Sequence, residues 1–301
     1  MPVAIQADRL TKDYGAGRGL FELDLEVAKG EVFGFLGPNG AGKTTTIRLL
    51  MGMIRPSGGR ATVFGLDCRR QSVDVKRLAG YVPGELPEFG ALRGSEIVRS
   101  IADLRGGVDG VAVKRICDRF DLDLRMRFRQ YSRGNKQKLA IVLAFMHTPR
   151  LLILDEPTGG LDPLNQQAFY ELCAEARSSG ATIFLSSHVL SEVEHISDRI
   201  GIIRAGRLIR VAALHDLHEM HVRHVELEFA GTPPLERLRG VPGVEDLQAT
   251  ERTVRCTVRG GFAPFLQALA GMQVANLTSH EPSLEEVFLA YYRDDEHAEA
   301  G

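Results

Sequence analysis

From Val3 to about Val211, short apolar runs alternate with stretches of helical periodicity. Val32 to Leu36, Leu151 to Leu154 and Ile183 to Leu185 are continuous apolar runs bounded by turn residues, the pattern of strands buried on both faces. Leu164, Ala168, Leu172 and Ala176 recur at four-residue spacing behind Pro163, a residue favoured at a first helical position. The alternation predicts an α/β core on a largely parallel sheet.

Between Glu85 and Phe145 the strand signals nearly vanish. Ile97, Ile101 and Leu104 share one face, as do Val113, Ile116, Cys117 and Phe120, which predicts a helical insertion over about 85–145. After Arg210 the texture changes again. Val225, Leu227 and Phe229 alternate with polar residues, Pro233-Pro234 breaks the chain, and Val254, Cys256 and Val258 alternate once more. A helical piece follows from Phe262 to about Ala270, then a strand near Val274 to Leu277. Ser283 with Glu286 forms a capping box that opens a last helix through Tyr292. The expected organisation is therefore a first domain over 1–211, a small α+β domain over 222–293, and a disordered acidic tail over 294–301.

Composition narrows the class. The 301 residues are 44% hydrophobic and 25% charged, which excludes a disordered chain or a disulfide scaffold and suits two globular domains. Thirty-seven basic against thirty-nine acidic residues give a net charge of −2, so the whole-protein field does not favour nucleic acid or anionic membrane. The longest strictly apolar run, Leu139 to Met146, is too short to cross a bilayer, and the first residues read as a strand rather than a leader. Cys68, Cys117, Cys173 and Cys256 are scattered, as suits reduced thiols in cytosol. A soluble, cytoplasmic protein is expected. Any membrane span must come from another chain.

Gly37-Pro38-Asn39-Gly40-Ala41-Gly42-Lys43-Thr44 matches G-x-x-x-x-G-K-T in full, after an apolar strand and at the opening of a helix read through Met53. Its glycines let backbone N–H groups turn inward around a phosphate chain, and the helix start aims its partial positive charge at the same anion. The expected cradle runs on to Thr45, with Lys43 on the terminal phosphates and the Thr44 hydroxyl on magnesium. A glycine-rich turn that merely joins strand to helix is the bland alternative.

Leu151 to Leu154 end in Asp155-Glu156, at the strand edge where ligands sit in open α/β sheets. Asp155 is the natural magnesium partner, and Glu156 the base that orients and deprotonates an attacking water. Without a phosphate loop nearby, the same pair would read as the solvated start of a turn. His188 follows the next apolar strand, and is either a structural histidine or a group that holds or senses the terminal phosphate.

Tyr131-Ser132-Arg133-Gly134-Asn135-Lys136-Gln137, at the start of the helix carrying Leu139 to Met146, brings in a family. The segment resembles the Leu-Ser-Gly-Gly-Gln signature of the ATP-binding subunits of ABC transporters, and its form is similar to a variant met in bacterial drug- and antibiotic-export subunits. Ser132 and Gly134 match; Arg133 and Asn135 depart from the common spelling. Tyr14 ahead of the phosphate loop, Gly160-Leu161-Asp162 and His188 fall in the family's order, and the C-terminal region, with Pro282 to Phe288, is similar to the extra domain of those subunits. The resemblance implies an ABC-type P-loop NTPase core with a helical insertion, ATP and Mg2+ as cofactors, and two subunits stacked head to tail. Ser132 and Gly134 would then touch the γ-phosphate in trans, and Tyr14 would stack on adenine unless it is an ordinary turn tyrosine. The implied function is the ATP-hydrolysing subunit of an exporter, bound to the inner face of the cell membrane through a separate polytopic permease; a complete catalytic set suits a homodimer. Cargo chemistry belongs to the permease.

One departure stands out. The family usually has a glutamine after Val-Pro, where this chain reads Val82-Pro83-Gly84-Glu85, so Gly84 brings no ligand and Glu85 or water must complete the metal shell. Gly84 to about Arg99 is still the expected docking surface for the membrane partner. Arg125, Arg127, Arg129, Arg133, Lys136 and Lys138 read as a charged or solvated surface rather than a nucleic-acid site, since few aromatics interleave them. His215, His218, His221 and His224 recur every third residue, but alternation from Val225 makes strand of the last, against a shared zinc. The rival function is a soluble regulatory or nucleic-acid-associated ATPase. Such relatives carry two cassettes or a long coiled coil, and neither pattern is present. A non-hydrolysing nucleotide binder is a third reading, opposed by Glu156 and His188.

Overall fold

The computed structural model describes residues 2–214 and 222–280, with Leu190 and Val222 described through the backbone alone. His215, His218, His221, the helix expected from Ser283, the Pro282–Phe288 segment and the tail over 294–301 lie outside the described residues. The chain divides into two compact units, Met1–Ala212 and Ala213–Gly301.

The first unit runs β1 (Val3–Asp13), β2 (Gly19–Ala28), β3 (Val32–Leu36), α1 (Lys43–Leu50), β4 (Gly58–Val63), β5 (Leu66–Asp67), α2 (Ser72–Leu78) and β6 (Ala79–Val82). Three helices follow, α3 (Gly94–Leu104), α4 (Gly110–Arg119) and α5 (Arg133–Phe145), and then β7 (Leu151–Asp155), α6 (Pro163–Ser178), β8 (Thr182–Ser187), α7 (Leu190–Ile196), β9 (Arg199–Arg204) and β10 (Arg207–Ala213). The main sheet has the order β10-β9-β3-β8-β7-β6, and β9-β3-β8-β7-β6 pair in parallel. Every residue of β3, β7 and β8 is buried, as their unbroken apolar runs require. Phe33 and Phe35 meet Phe184 across the β3–β8 pair at centroid separations of 5.9 and 5.3 Å.

A second, antiparallel sheet of order β2-β1-β4-β5 was not among the sequence expectations. Its first pair is interrupted by register shifts around Leu10, which blur the period-2 signal. Ile5, Leu25 and Val27 from this sheet share one core with Phe33, Ile47, Ile153 and Phe184, so α1 and the phosphate loop lie over a continuous apolar floor.

One sequence detail is corrected. The helix after the phosphate loop stops at Leu50, not Met53. Gly52, at φ +59°, ends it with Met53 N–H donating to Arg48 O and Gly52 N–H to Leu49 O. In α6 the buried residues are Phe169, Leu172 and Cys173, while Leu164 is 84% exposed. The spacing found the helix; the face it buries was decided by distant partners such as Phe145, which meets Phe169 edge-on at 6.3 Å.

The second unit contains β11 (Val222–Phe229), α8 (Leu235–Arg239), β12 (Val244–Ala249), β13 (Thr253–Arg259), α9 (Phe262–Leu269) and β14 (Val274–His280). Its antiparallel sheet has the order β12-β13-β11-β14, the split βαβ arrangement of ferredoxin-like domains. Val225, Leu227, Phe229, Val254, Cys256 and Val258 face a core closed by Leu238, Phe265 and Leu269. The expected alternating strands are present; α8 and the edge strand β12 carry weak patterns and were not foreseen. His224 sits in β11, with Nδ1 3.3 Å from Thr257 Oγ1, and among the described residues no group of three His, Cys, Asp or Glu side chains is placed to hold a metal.

His147, just past α5, is the titratable group that burial affects in a testable way. Burial, helped by the Arg105 charge, pushes its imidazole from 6.5 down to about 4. An unfolded chain takes up that proton near pH 6.5 and the folded chain only near 4, so this contribution to stability is complete above 6.5 and declines between 6.5 and 4. Urea unfolding across that window is expected to show a shallower pH dependence in His147→Asn than in the wild type; identical slopes would refute the assignment.

Candidate functional site

The site is assembled at the C-terminal ends of β3, β7 and β8. From β3 the chain enters the loop 37–42, where Gly40 and Gly42 adopt φ of +81° and +112°. A side chain at 42 would be strained and would also press against the Gly19 carbonyl, 3.3 Å from its Cβ. Thr46 N–H is the first to donate into α1, to Gly42 O at 2.9 Å, so the amides of Lys43, Thr44 and Thr45 precede the helical ladder and add their dipoles to the loop. Pro38, Asn39 and Gly40 are exposed on its rim, and Ala41 is buried. Lys43, only 6% exposed, points into this concavity: Nζ donates to Gly37 O at 2.6 Å and Pro38 O at 3.2 Å, and lies 3.3 Å from Glu156 Oε1.

At the end of β7, Asp155 is 2% exposed and both oxygens are engaged. Oδ2 accepts from Thr44 Oγ1 at 3.0 Å, and Oδ1 from Ser186 Oγ at 2.6 Å. Ser186 had no signal in the sequence; the parallel register sets it directly opposite Asp155. The next residue, Glu156, has φ +50°, a left-handed conformation costing roughly 1–3 kcal/mol in a non-glycine residue. This turn aims its carboxylate back over the sheet edge. Oε1 faces Lys43, and Oε2 lies 2.6 Å from Nδ1 of the half-exposed His188. Five residues read separately from sequence, Lys43, Thr44, Asp155, Glu156 and His188, are thus linked by direct contacts.

The donor set suits magnesium. A hydroxyl and a carboxylate, both hard oxygen ligands, already lie side by side at Thr44 and Asp155, and Mg2+ needs only one or two protein oxygens when phosphates and water supply the rest. Gly84 stands beside them: a Cβ there would lie 3.6 Å from Asp155 Oδ2, yet the residue brings no ligand. Exposed Glu85 lines the same groove of about 790 Å³, which continues past Leu86, Phe89 and Ile101.

Ser132 caps α5 by accepting from Asn135 N–H at 3.2 Å. The helix start is fastened to the loop that follows Glu156. A Cβ on Gly134 would lie 2.8 Å from Gly160 O, Arg133 lies against Gly160, and Gln137 Nε2 donates to Pro157 O at 2.7 Å. Gln137 was not assigned a contact by the sequence. Tyr14, 49% exposed, is in the loop between β1 and β2, with Lys12 Nζ 5.4 Å from its ring centroid. The basic stretch is partly neutralised in place: Arg125 pairs with Asp123, and Lys136 with Glu88 at 2.7 Å while lying over the Phe128 ring.

The ABC transporter family matches residues 20–159. The chain is 31% identical, over 96% of each sequence, to the bacitracin transport ATP-binding protein BcrA of Enterococcus faecalis. It is 33% identical to a daunorubicin resistance ATP-binding protein of Streptomyces coeruleorubidus, covering 97% of this chain and 96% of that one. Among solved structures, the ATP-binding subunit of an ABC transporter superposes with a TM-score of 0.66 at 31% identity, over 71% of this chain and 92% of that chain.

Proposed function

The chain belongs to the family of ABC transporter ATP-binding proteins, and on that premise we propose that it hydrolyses ATP as the motor subunit of an exporter whose membrane-spanning part is a separate chain. The observation that carries the reading is the placement of Glu156, held in a left-handed turn between Lys43 and His188 and next to the buried Asp155.

The residues divide the work by their chemistry. Backbone amides of Asn39, Gly40 and Gly42 to Thr45, together with the Lys43 ammonium, receive the phosphate chain of ATP. Thr44 and Asp155 hold Mg2+, which supplies charge neutralisation at the phosphates. Glu156 accepts the proton of the attacking water through an oxygen that His188 keeps oriented. Tyr14 offers a ring face to adenine, in keeping with its exposure. A second copy contributes Ser132 and Gly134, with the positive end of α5, to the terminal phosphate. The resulting homodimer closes on ATP and opens after hydrolysis.

Among the described residues no helix is long and apolar enough to cross a membrane, so the permease supplies the span and this subunit sits against it on the cytoplasmic side. The groove beginning at Gly84 and Glu85 receives the permease. Relatives named for bacitracin transport and daunorubicin resistance support export of an antibiotic-like cargo. Phosphate release by the full chain with ATP and Mg2+, in the presence of its permease, tests the reading: saturable turnover is expected, and none above background would overturn it.

The unit that follows residue 212 is proposed to serve assembly. A chain ending at Arg210 is expected to bind ATP with wild-type affinity in calorimetry but to recover little of the permease on co-purification. Equal recovery would remove that role.

A further inference from the structure

Behind the Glu156–His188 contact lies a second link between the same two segments. Thr158, two residues beyond Glu156, is 3% exposed, and Ser187, the residue before His188, is fully buried. Both hydroxyls donate to one carboxylate, that of Glu192 in the first turn of α7. Thr158 Oγ1 donates to Oε1, and Ser187 Oγ to Oε2 at 2.6 Å. The Ser187 hydroxyl also accepts from Val189 N–H at 2.9 Å, so its two bonds close a turn around His188. We propose that Glu192 is a positioning residue for hydrolysis, clamping the loop that carries Glu156 to the strand end that carries His188. The inference rests on the hydrolytic reading of that pair.

His188 is half-exposed and Glu156 sits in a left-handed turn, so a single bond between them, open to water, does not hold both side chains in register. A carboxylate that accepts two buried hydroxyls makes charge-assisted bonds on the protected side of the same junction. It fixes the spacing of the two backbones independently of what happens at the exposed edge. Glu192 touches neither Lys43 nor Asp155 through these bonds, so the clamp bears on the base and its histidine and leaves the phosphate loop alone. A negative charge in the first turn also favours α7 through the helix dipole. That simpler role would change stability without changing turnover selectively.

The test uses the full chain with Glu192→Ala and Glu192→Gln. Glu192→Ala is expected to lower kcat by about 10- to 100-fold, the scale of a misplaced catalytic group, while KM and equilibrium ATP affinity stay within about twofold. Glu192→Gln keeps the length and one acceptor, and is expected to recover most of the loss. Combined with His188→Ala, Glu192→Ala should add almost nothing, because both act through one contact. A readout independent of turnover is the ring Nδ1 resonance of His188, assigned by its disappearance in His188→Ala. It should shift in Glu192→Ala and return in Glu192→Gln. The proposal is overturned by an unchanged His188 resonance in Glu192→Ala, by wild-type kcat, or by losses that multiply in full with His188→Ala. If the wild type releases no phosphate, the hydrolytic reading fails on its own, and the resonance still decides whether Glu192 positions His188.

Discussion

Glu156→Gln is expected to cut ATP turnover by about 10²–10⁴-fold, the usual worth of a general base, with ATP binding intact. The amide has the size and shape of the carboxylate, so the left-handed turn at residue 156 and the packing beneath it are retained. It cannot take a proton from water, and its contact with His188 Nδ1 loses charge assistance. Lys43, relieved of a carboxylate 3.3 Å away, keeps its bonds to Gly37 O and Pro38 O and is freer to meet phosphate. Single-turnover phosphate release and equilibrium binding on one preparation separate the two quantities. A parallel loss of both would show that Glu156 supports the loop rather than the reaction.

Lys43→Ala is expected to act at the other end, on binding itself. Its ammonium is the buried cation of the cradle and touches two loop carbonyls as well as Glu156. Charge-assisted hydrogen bonds contribute about 1.5–3 kcal/mol each, so losing two to the phosphates weakens ATP binding by roughly 10²–10⁴-fold. Without the ammonium, Glu156 also faces the triphosphate with no cation between them, a like-charge contact that adds to the loss. Calorimetric titration measures the effect, and the thermal midpoint shows whether the variant is folded. Retained affinity in a folded Lys43→Ala chain would mean that backbone amides alone hold the anion.

The legible and illegible parts of this molecule differ in how far apart their determinants lie. The loop at 37–44 could be read because its chemistry demands glycines, a lysine and a hydroxyl within eight positions. Strands β3, β7 and β8 could be read because burial on both faces leaves an unbroken apolar run. Asp155, Glu156 and His188 stood out as polar residues at the ends of such runs. Ser186 and Glu192 did not. A buried serine within a strand and a glutamate in a first helical turn look ordinary until register and packing bring Asp155 and Thr158 to them. The inward face of α6, set by Phe169 and Cys173 beside Leu172, was not legible in the spacing for the same reason, and the antiparallel sheet was hidden by the irregularities around Leu10. Signature residues Ser132 and Gly134 were legible as a motif, but their proposed task is on a second chain. Within one chain Ser132 caps α5 and Gly134 lets the helix start approach Gly160 of the following loop.

That second chain is the centre of the functional account. The most direct measurement is the mass in solution of Glu156→Gln with Mg2+ and ATP, by sedimentation equilibrium, beside the same protein carrying Ser132→Arg. A nucleotide held between the Lys43 loop of one copy and the α5 start of another requires the mass of two chains for Glu156→Gln, falling to one chain when Ser132 is replaced. A single-chain mass at saturating ATP, with the permease present as well as without it, would contradict the shared site and the export mechanism built on it.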